Sequence, residues 1–236
     1  MIYLFDMDGT LTPPRQPMEE SFAKAFEGLI GDRVFYMVTG SDIVKIEEQI
    51  PKNILKMAAG IYASMGNEFY VDGKLVYQND FCHDDDLIKR LELYRENTKY
   101  PHKLYPNFIE QRCGMINFCV VGRDCPEKIR QQYHDWDFVN VERLQIVKEL
   151  SQVFTKYSFT VGGSISIDIT LVGSGKEQVA KDLLKRYPSE KIIFFGDKTD
   201  RGGNDYDIAQ VFLGSGNAEV ITVKNQSETI TFLRHL

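Results

Sequence analysis

Asp6 and Asp8 stand two residues apart at the end of an apolar run, Ile2-Tyr3-Leu4-Phe5, and Gly9 follows them. An i, i+2 spacing on an extended chain projects both carboxylates to one side of the strand end, and strand ends are where α/β sheets bind ligands. Two carboxylates this close repel each other unless a cation sits between them or one keeps its proton, so the pair suits magnesium binding combined with acid–base work. Aspartate is also a nucleophile. By accepting a phosphoryl group as an acyl phosphate it splits one difficult transfer into two easier ones. The plain alternative is a turn in which Asp and Gly merely close a loop. An EF-hand calcium loop would need further oxygen ligands before its glycine and helical flanks, and neither is present.

Later segments supply what a phosphoaspartyl transfer lacks. The run Val34–Val38 reads as a second buried strand that gives way to Thr39-Gly40-Ser41-Asp42 and then to Ile43, Ile46 and Ile50 at helical spacing. Hydroxyls at a strand-to-helix junction meet free backbone N–H groups and favour a phosphate, while Ser41 or Asp42 can equally serve as an ordinary N-cap. Lys176 opens a helix and can neutralise phosphoryl oxygens. Asp197 ends the buried run Ile192–Phe195 and can hold a metal. Each of these alone is a common local feature, but their order along the chain, each at a strand end or helix start, is hard to reach by accident.

The elements that must position these groups follow an α/β pattern. Pro13, Pro14 and Pro17 hold an extended loop, and Met18, Phe22, Phe26 and Leu29 then recur at helical spacing until Gly31. Phe69–Tyr77 predicts a hairpin turning on Asp72-Gly73. A helix starting near Asp84-Asp85-Asp86 carries Leu87, Leu91 and Tyr94, its acids serving as N-terminal charges. Two strand-like stretches, Phe108–Val121 and Ser164–Leu171, flank helical material from about Pro126 to Phe154. In the second stretch Ile165, Ile167, Ile169 and Leu171 alternate with Ser166, Asp168 and Thr170, a packed face against one suited to sugar hydroxyls. Short apolar runs at Val211–Leu213 and Val220–Val223 are expected to finish the sheet, with a last helix after them. The fold expected is α/β: a Rossmann-like parallel-sheet core from residues 1–80 and 173–236, interrupted by an α+β insertion over 81–172.

Asp6-Met7-Asp8-Gly9-Thr10 resembles the first motif of the haloacid-dehalogenase-like (HAD) phosphotransferases. Over nearly the whole chain the sequence further resembles the eukaryotic-type phosphomannomutases. The shared segments are Thr12-Pro13-Pro14-Arg15, Gly40-Ser41-Asp42, Phe108-Ile109-Glu110-Gln111-Arg112-Cys113-Gly114-Met115, Gly122-Arg123, Gly162–Asp168, Phe195–Thr199 and Gly202-Gly203-Asn204-Asp205. This resemblance implies that Asp6 is the phosphorylated nucleophile and Asp8 the general acid–base. It implies magnesium on Asp6, the Asp8 backbone carbonyl and Asp197, with Lys176 as the motif lysine and Thr39 or Ser41 as the phosphate hydroxyl. Arg15, Arg112, Arg123, Arg130, Ser166 and Asp168 fall on sugar-phosphate ligands, the insertion serves as a cap, and a homodimer through that cap is the family expectation. The reaction implied is interconversion of mannose 6-phosphate and mannose 1-phosphate, with a hexose 1,6-bisphosphate as activator. A magnesium-dependent sugar-phosphate phosphatase on the same fold is the alternative, and a catalytically silent sugar-phosphate-binding protein is a third reading. The sequence departs from the family at Thr39, at Tyr105-Pro106-Asn107 and in a shorter loop after Asp205.

Composition fits. The chain has 236 residues, 43% of them hydrophobic, enough for a core domain with an inserted one. A net charge of −6 without a Lys/Arg stripe argues against a nucleic-acid partner. No apolar stretch approaches the ~20 residues of a membrane span, and the four cysteines show no metal or redox spacing. A cytoplasmic enzyme with reduced cysteines is expected.

Overall fold

The computed structural model describes all residues, Met1–Leu236, and divides into two compact units, Met1–Asn79 with Ser174–Leu236, and Asp80–Gly173.

The first unit is built on a seven-stranded sheet. Its strands are β1 (Ile2–Asp6), β2 (Val34–Val38), β3 (Gly60–Ala63), β4 (Glu68–Val71), β5 (Lys74–Gln78), β10 (Ile192–Gly196) and β11 (Ala218–Thr222), in the order β11-β10-β1-β2-β3-β4-β5. The five strands from β11 to β3 are parallel, and β4 and β5 close the edge as antiparallel strands. Because β1 has β2 on one side and β10 on the other, the chain order reverses beside it, and the carboxyl end of β1 is the switch point at which such sheets bind ligands.

The strand sequences follow from burial on both faces. Along β1, Tyr3 and Phe5 enter one core with Phe26, Phe35 and Phe195, while Ile2 and Leu4 enter the opposite core with Tyr62, Phe194 and Phe212. Helices α1 (Glu20–Ile30), α2 (Ile43–Gln49), α3 (Lys52–Met57) and α9 (Gln226–Leu233) contribute to the first core, and α7 (Glu177–Arg186) and α8 (Tyr206–Leu213) to the second. Asp72 and Gly73, at φ of 49° and 71°, make the hairpin turn between β4 and β5 that the Asp-Gly pair predicts.

The second unit carries an antiparallel sheet in the order β6-β7-β9-β8, from β6 (Ile109–Arg112), β7 (Met115–Phe118), β8 (Tyr157–Gly162) and β9 (Ser166–Leu171). With α4 (Asp85–Glu96), α5 (Glu127–Asn140) and α6 (Glu142–Val153) it forms its own core around Leu87, Phe118, Tyr133, Ile146 and Ile167.

The structure corrects the sequence expectation at three places. Phe108–Val121 is two strands, folded back at Cys113-Gly114, where Gly114 has a φ of 65°. Tyr157–Gly162 is a strand, β8, in a stretch to which the sequence expectation assigns no element, and it pairs with β9 through a turn in which Gly163 has a φ of 50°. Val211–Leu213 ends helix α8 instead of adding a strand, since Ile208, Ala209 and Phe212 share one buried helical face and three apolar residues are too few to override it. No helix is long and apolar enough to cross a membrane.

Candidate active site

Asp6 is the last residue of β1, and the chain after it winds tightly. The Met7 carbonyl accepts the amides of Leu11 and Thr12 at 2.9 and 3.0 Å, and the Gly9 amide donates to the Thr12 carbonyl at 2.8 Å. Gly9 is required twice over: its φ is +88°, and a Cβ there would collide with Oδ2 of Asp197. Helix α9 anchors the loop, the buried hydroxyl of Thr229 donating to the Thr10 carbonyl at 2.8 Å. Asp8 lies just beyond the strand. Its Oδ1 accepts the backbone amide of Arg15 at 2.7 Å, and Arg15 itself adopts a φ of 61°.

Lys176, immediately before α7, is buried and reaches this strand end. Its Nζ lies 2.5 Å from Oδ1 of Asp6 and 2.6 Å from Oδ1 of Asp205. Burial opposes its charge, but the two carboxylates outweigh that and hold its pKa above the usual lysine value. Asp205 is the residue the sequence reading missed. It is fully buried, and its Oδ2 accepts the Lys198 amide at 3.3 Å. The signal lies in the Gly202-Gly203-Asn204-Asp205 segment, in an acid placed directly before a helix.

Asp197 follows β10 and completes an acidic cluster: ligand oxygens of Asp6, Asp197 and Asp205 all lie within 4.8 Å of one another. Burial first, then the neighbouring Asp205, pushes the Asp6 pKa well up, with Lys176 opposing. Burial likewise raises Asp197, Lys198 opposing and Asp205 adding. Three carboxylates therefore crowd the Lys176 ammonium, with Nζ of Lys198 3.9 Å from Asp197, and Oδ2 of Asp6 and Oδ1 of Asp197 are buried without a hydrogen-bond partner. Buried carboxylate oxygens in that condition are costly unless a cation takes them up. Oxygen donors alone, with excess negative charge, are what a hard divalent cation such as magnesium selects. The side chain of Asp8 is outside this cluster.

The segment after β2 is fastened by backbone bonds. Thr39 is buried, its Oγ1 accepts the Ser41 amide at 3.1 Å, and its carbonyl accepts the Met65 amide at 2.9 Å. Asp42, not Ser41, is the N-cap of α2, accepting the Lys45 amide at 2.9 Å.

In the second unit, β6, β7 and β9 bring most of the remaining candidates together. Glu110, Asn117 and Asp168 occupy one cross-strand row. Asn117 donates to Oδ1 of Asp168 at 2.5 Å and accepts from Arg123, and Glu110 takes N–H groups from Arg112 and Arg123. Gly162 leaves room for the Asp168 carboxylate, which a Cβ would strike. Ser166 lies two residues from Asp168 on the same face of β9, and that polar face is itself buried, Ser166 and Asp168 each being 8% exposed. Arg130, in the first turn of α5, joins the group by donating to the Arg123 carbonyl at 3.1 Å. Arg15 and Ser41 belong to the first unit. A further arginine escaped the sequence reading: Arg143 pairs with buried Asp137 at 2.7 Å and donates to the carbonyls of Gly162, Gly163 and Ser166, fixing the turn into β9. Of the cysteines, Cys119 and Cys125 are buried in this unit's core, and burial pushes the Cys119 thiol up to about 11, as expected of a packing residue.

Comparison with known proteins gives the family. A profile of the family "Eukaryotic phosphomannomutase" matches residues 23–233. A phosphomannomutase from Dendrobium officinale is 34% identical over 215 residues, covering 88% of this chain and 84% of its own. Phosphomannomutase 1 of Dictyostelium discoideum is 32% identical over 246 residues, covering 100% and 96%. Among solved structures, a HAD-superfamily phosphatase from Bacteroides thetaiotaomicron superposes with a TM-score of 0.58 at 17% identity, covering 99% of this chain and 94% of that one, and so shares the fold. With the family profile spanning most of the sequence and the acid cluster at the switch point of a HAD-type sheet, the chain belongs to the eukaryotic phosphomannomutase family.

Proposed function

We propose that this enzyme interconverts mannose 6-phosphate and mannose 1-phosphate through a phosphorylated Asp6 and a hexose 1,6-bisphosphate. The observation that carries the reading is the divided environment of Asp6, one oxygen held by Lys176 and the other buried without a partner, in a cluster with Asp197 and Asp205. Such a carboxylate is oriented, desolvated and placed where a phosphate's charge can be neutralised.

Magnesium on Asp6, Asp197 and the Asp8 carbonyl would neutralise phosphoryl oxygens and favour their transfer. Asp6, phosphorylated by the bisphosphate, gives its phosphoryl group to the free hydroxyl of a hexose monophosphate while Asp8 takes the hydroxyl proton. The resulting bisphosphate reorients. Asp6 then attacks the other phosphorus, the P–O bond to the sugar breaks, and Asp8 returns its proton to the departing oxygen. Lys176 stays charged throughout and compensates the phosphoryl oxygens, and Asp205 keeps its ammonium in place. Thr39 or Ser41 supplies a hydroxyl to the phosphate.

A mutase must also hold the phosphate that is not reacting. Arg15, Arg112, Arg123 and Arg130 are proposed for that, with Ser166 and Asp168 for the sugar hydroxyls and the inserted unit as a cap. The guanidinium fork suits a phosphate because it binds two oxygens at once. A homodimer through this unit and a cytoplasmic location belong to the same proposal. Phe138, Val139 and Leu144, exposed around the α5–α6 junction, are apolar enough to support the dimer. The test is a coupled assay on mannose 1-phosphate with and without hexose bisphosphate, following isomer and free phosphate together.

A further inference from the structure

Glu110 sits inside the arginine group, and the phosphoryl chemistry gives it no task. It lies on β6 directly opposite Asn117, in the row that continues through Asp168 to Thr160 on β8. One oxygen of its carboxylate, Oε2, accepts from Nε and Nη2 of Arg112 at 3.0 and 2.6 Å and lies 2.7 Å from Nη2 of Arg123. A single anionic oxygen that gathers N–H groups from two guanidinium groups occupies donors that a phosphate would otherwise use. The two arginines are mostly buried at 13% and 18% side-chain exposure, whereas the carboxylate between them is 37% exposed. Glu110 is therefore the member of the trio that faces water, the side on which a phosphate would displace it.

We propose that Glu110 is a specificity-determining carboxylate that competes with phosphate for Arg112 and Arg123 and so sets how tightly the bisphosphate is retained. This rests on the reading of those arginines as phosphate ligands. The physical case is one of charge. Two guanidinium groups without a counter-ion would bind a phosphate dianion tightly. A carboxylate already on them lowers the net gain, because one charge-assisted contact must be given up for each one made. A mutase needs that moderation. Its bisphosphate has to be held strongly enough to remain bound, yet each phosphate must let go so that the molecule can turn, and binding that is equally tight in every state does not speed turnover.

The alternative is that Glu110 only orients the two side chains. Glu110→Gln separates the two, because the amide keeps shape and an acceptor oxygen while removing the competing charge. The probe is inorganic phosphate titrated calorimetrically into the full-length protein in EDTA, where the acid cluster around Asp6 repels anions. Competition predicts that the variant binds phosphate roughly tenfold more tightly, the change expected from removing about one screened unit charge, and that the gain shrinks as salt is raised. It also predicts a lower half-saturating concentration of mannose 1,6-bisphosphate together with a lower kcat. Glu110→Asp, which retains the charge but shortens its reach, should move affinity in the same direction by less, and it provides the measurement if the glutamine variant melts early. Unchanged or weaker phosphate binding in folded variants overturns the proposal in favour of orientation. If Arg112→Ala and Arg123→Ala also leave phosphate affinity unchanged, the arginines are not the phosphate site, and the failure belongs to the underlying reading instead.

Discussion

Nζ of Lys176 lies 2.5 Å from Oδ1 of Asp6, while Oδ2 of the same carboxylate is buried with no hydrogen-bond partner. The two residues are 170 positions apart in the chain and meet because β1 and the start of α7 converge on one end of the parallel sheet. The lysine thus holds one oxygen of the carboxylate and leaves the other unpaired within the cluster that Asp6 forms with Asp197 and Asp205.

Asp6→Asn should abolish turnover, since an amide is a poor nucleophile and a weaker ligand for a hard cation. The fold should survive, because the substitution removes one of three crowded carboxylates. Differential scanning calorimetry should show a metal-free Tm close to that of the unaltered protein, and a smaller rise on adding magnesium. Asp8→Asn should retain the magnesium response and lose about 10²- to 10⁴-fold in kcat, the usual worth of a positioned proton-transfer group.

Asp205→Ala should act on stability as well as activity. Lys176 would keep Asp6 but lose its second buried partner, and breaking a buried ion pair from one side costs about 3–5 kcal/mol. Chemical denaturation should register a loss near the lower end of that range, because Asp6 remains. A variant with unchanged stability would mean that Asp205 does not hold Lys176.

Within the inserted unit, Arg143 and Arg112 should behave oppositely. Arg143 joins buried Asp137 and three backbone carbonyls at the β8–β9 turn, so Arg143→Ala should lower stability by about 3–5 kcal/mol. Arg112→Ala should melt close to the unaltered protein and instead weaken hexose-phosphate binding by roughly 1.5–3 kcal/mol. Equilibrium unfolding and isothermal titration of the two variants side by side check the contrast.

Alkaline stability should carry a tyrosine signature. The Tyr62 hydroxyl donates to Asp182 at 2.5 Å, and burial above all, with that bond and the Asp182 charge, raises its pKa beyond the ordinary value. Burial, with Glu142 next, raises Tyr133 in the same direction. An acid whose folded pKa is raised contributes stability that is present below its unfolded pKa of about 10 and is lost as pH climbs toward the folded value. Unfolding free energy should therefore begin to fall above about pH 10, and Tyr62→Phe should flatten that slope.

Much of this site was legible in the chain because its residues sit at strand ends and helix starts, places that apolar runs mark clearly. Asp6, Asp197 and Lys176 were readable in that way. Asp205 was not singled out, since a loop acid before a helix reads as an ordinary dipole partner until the buried lysine is seen beside it. Arg143 gave no local sign at all: its partners, Asp137 and the Gly162–Ser166 turn, come together only when α5, α6 and the β8–β9 hairpin pack. Helix α8 was obscured for a related reason, a short apolar run fitting either period until tertiary contacts choose.

The most direct test of the central claim is to supply mannose 1-phosphate, magnesium and a trace of mannose or glucose 1,6-bisphosphate, and to count mannose 6-phosphate and free phosphate in the same reaction. The bisphosphate should stimulate the reaction, and isomer should form well in excess of free phosphate. Free phosphate accumulating in step with substrate loss, with no isomer even when the bisphosphate is present, would contradict it and make the enzyme a phosphatase.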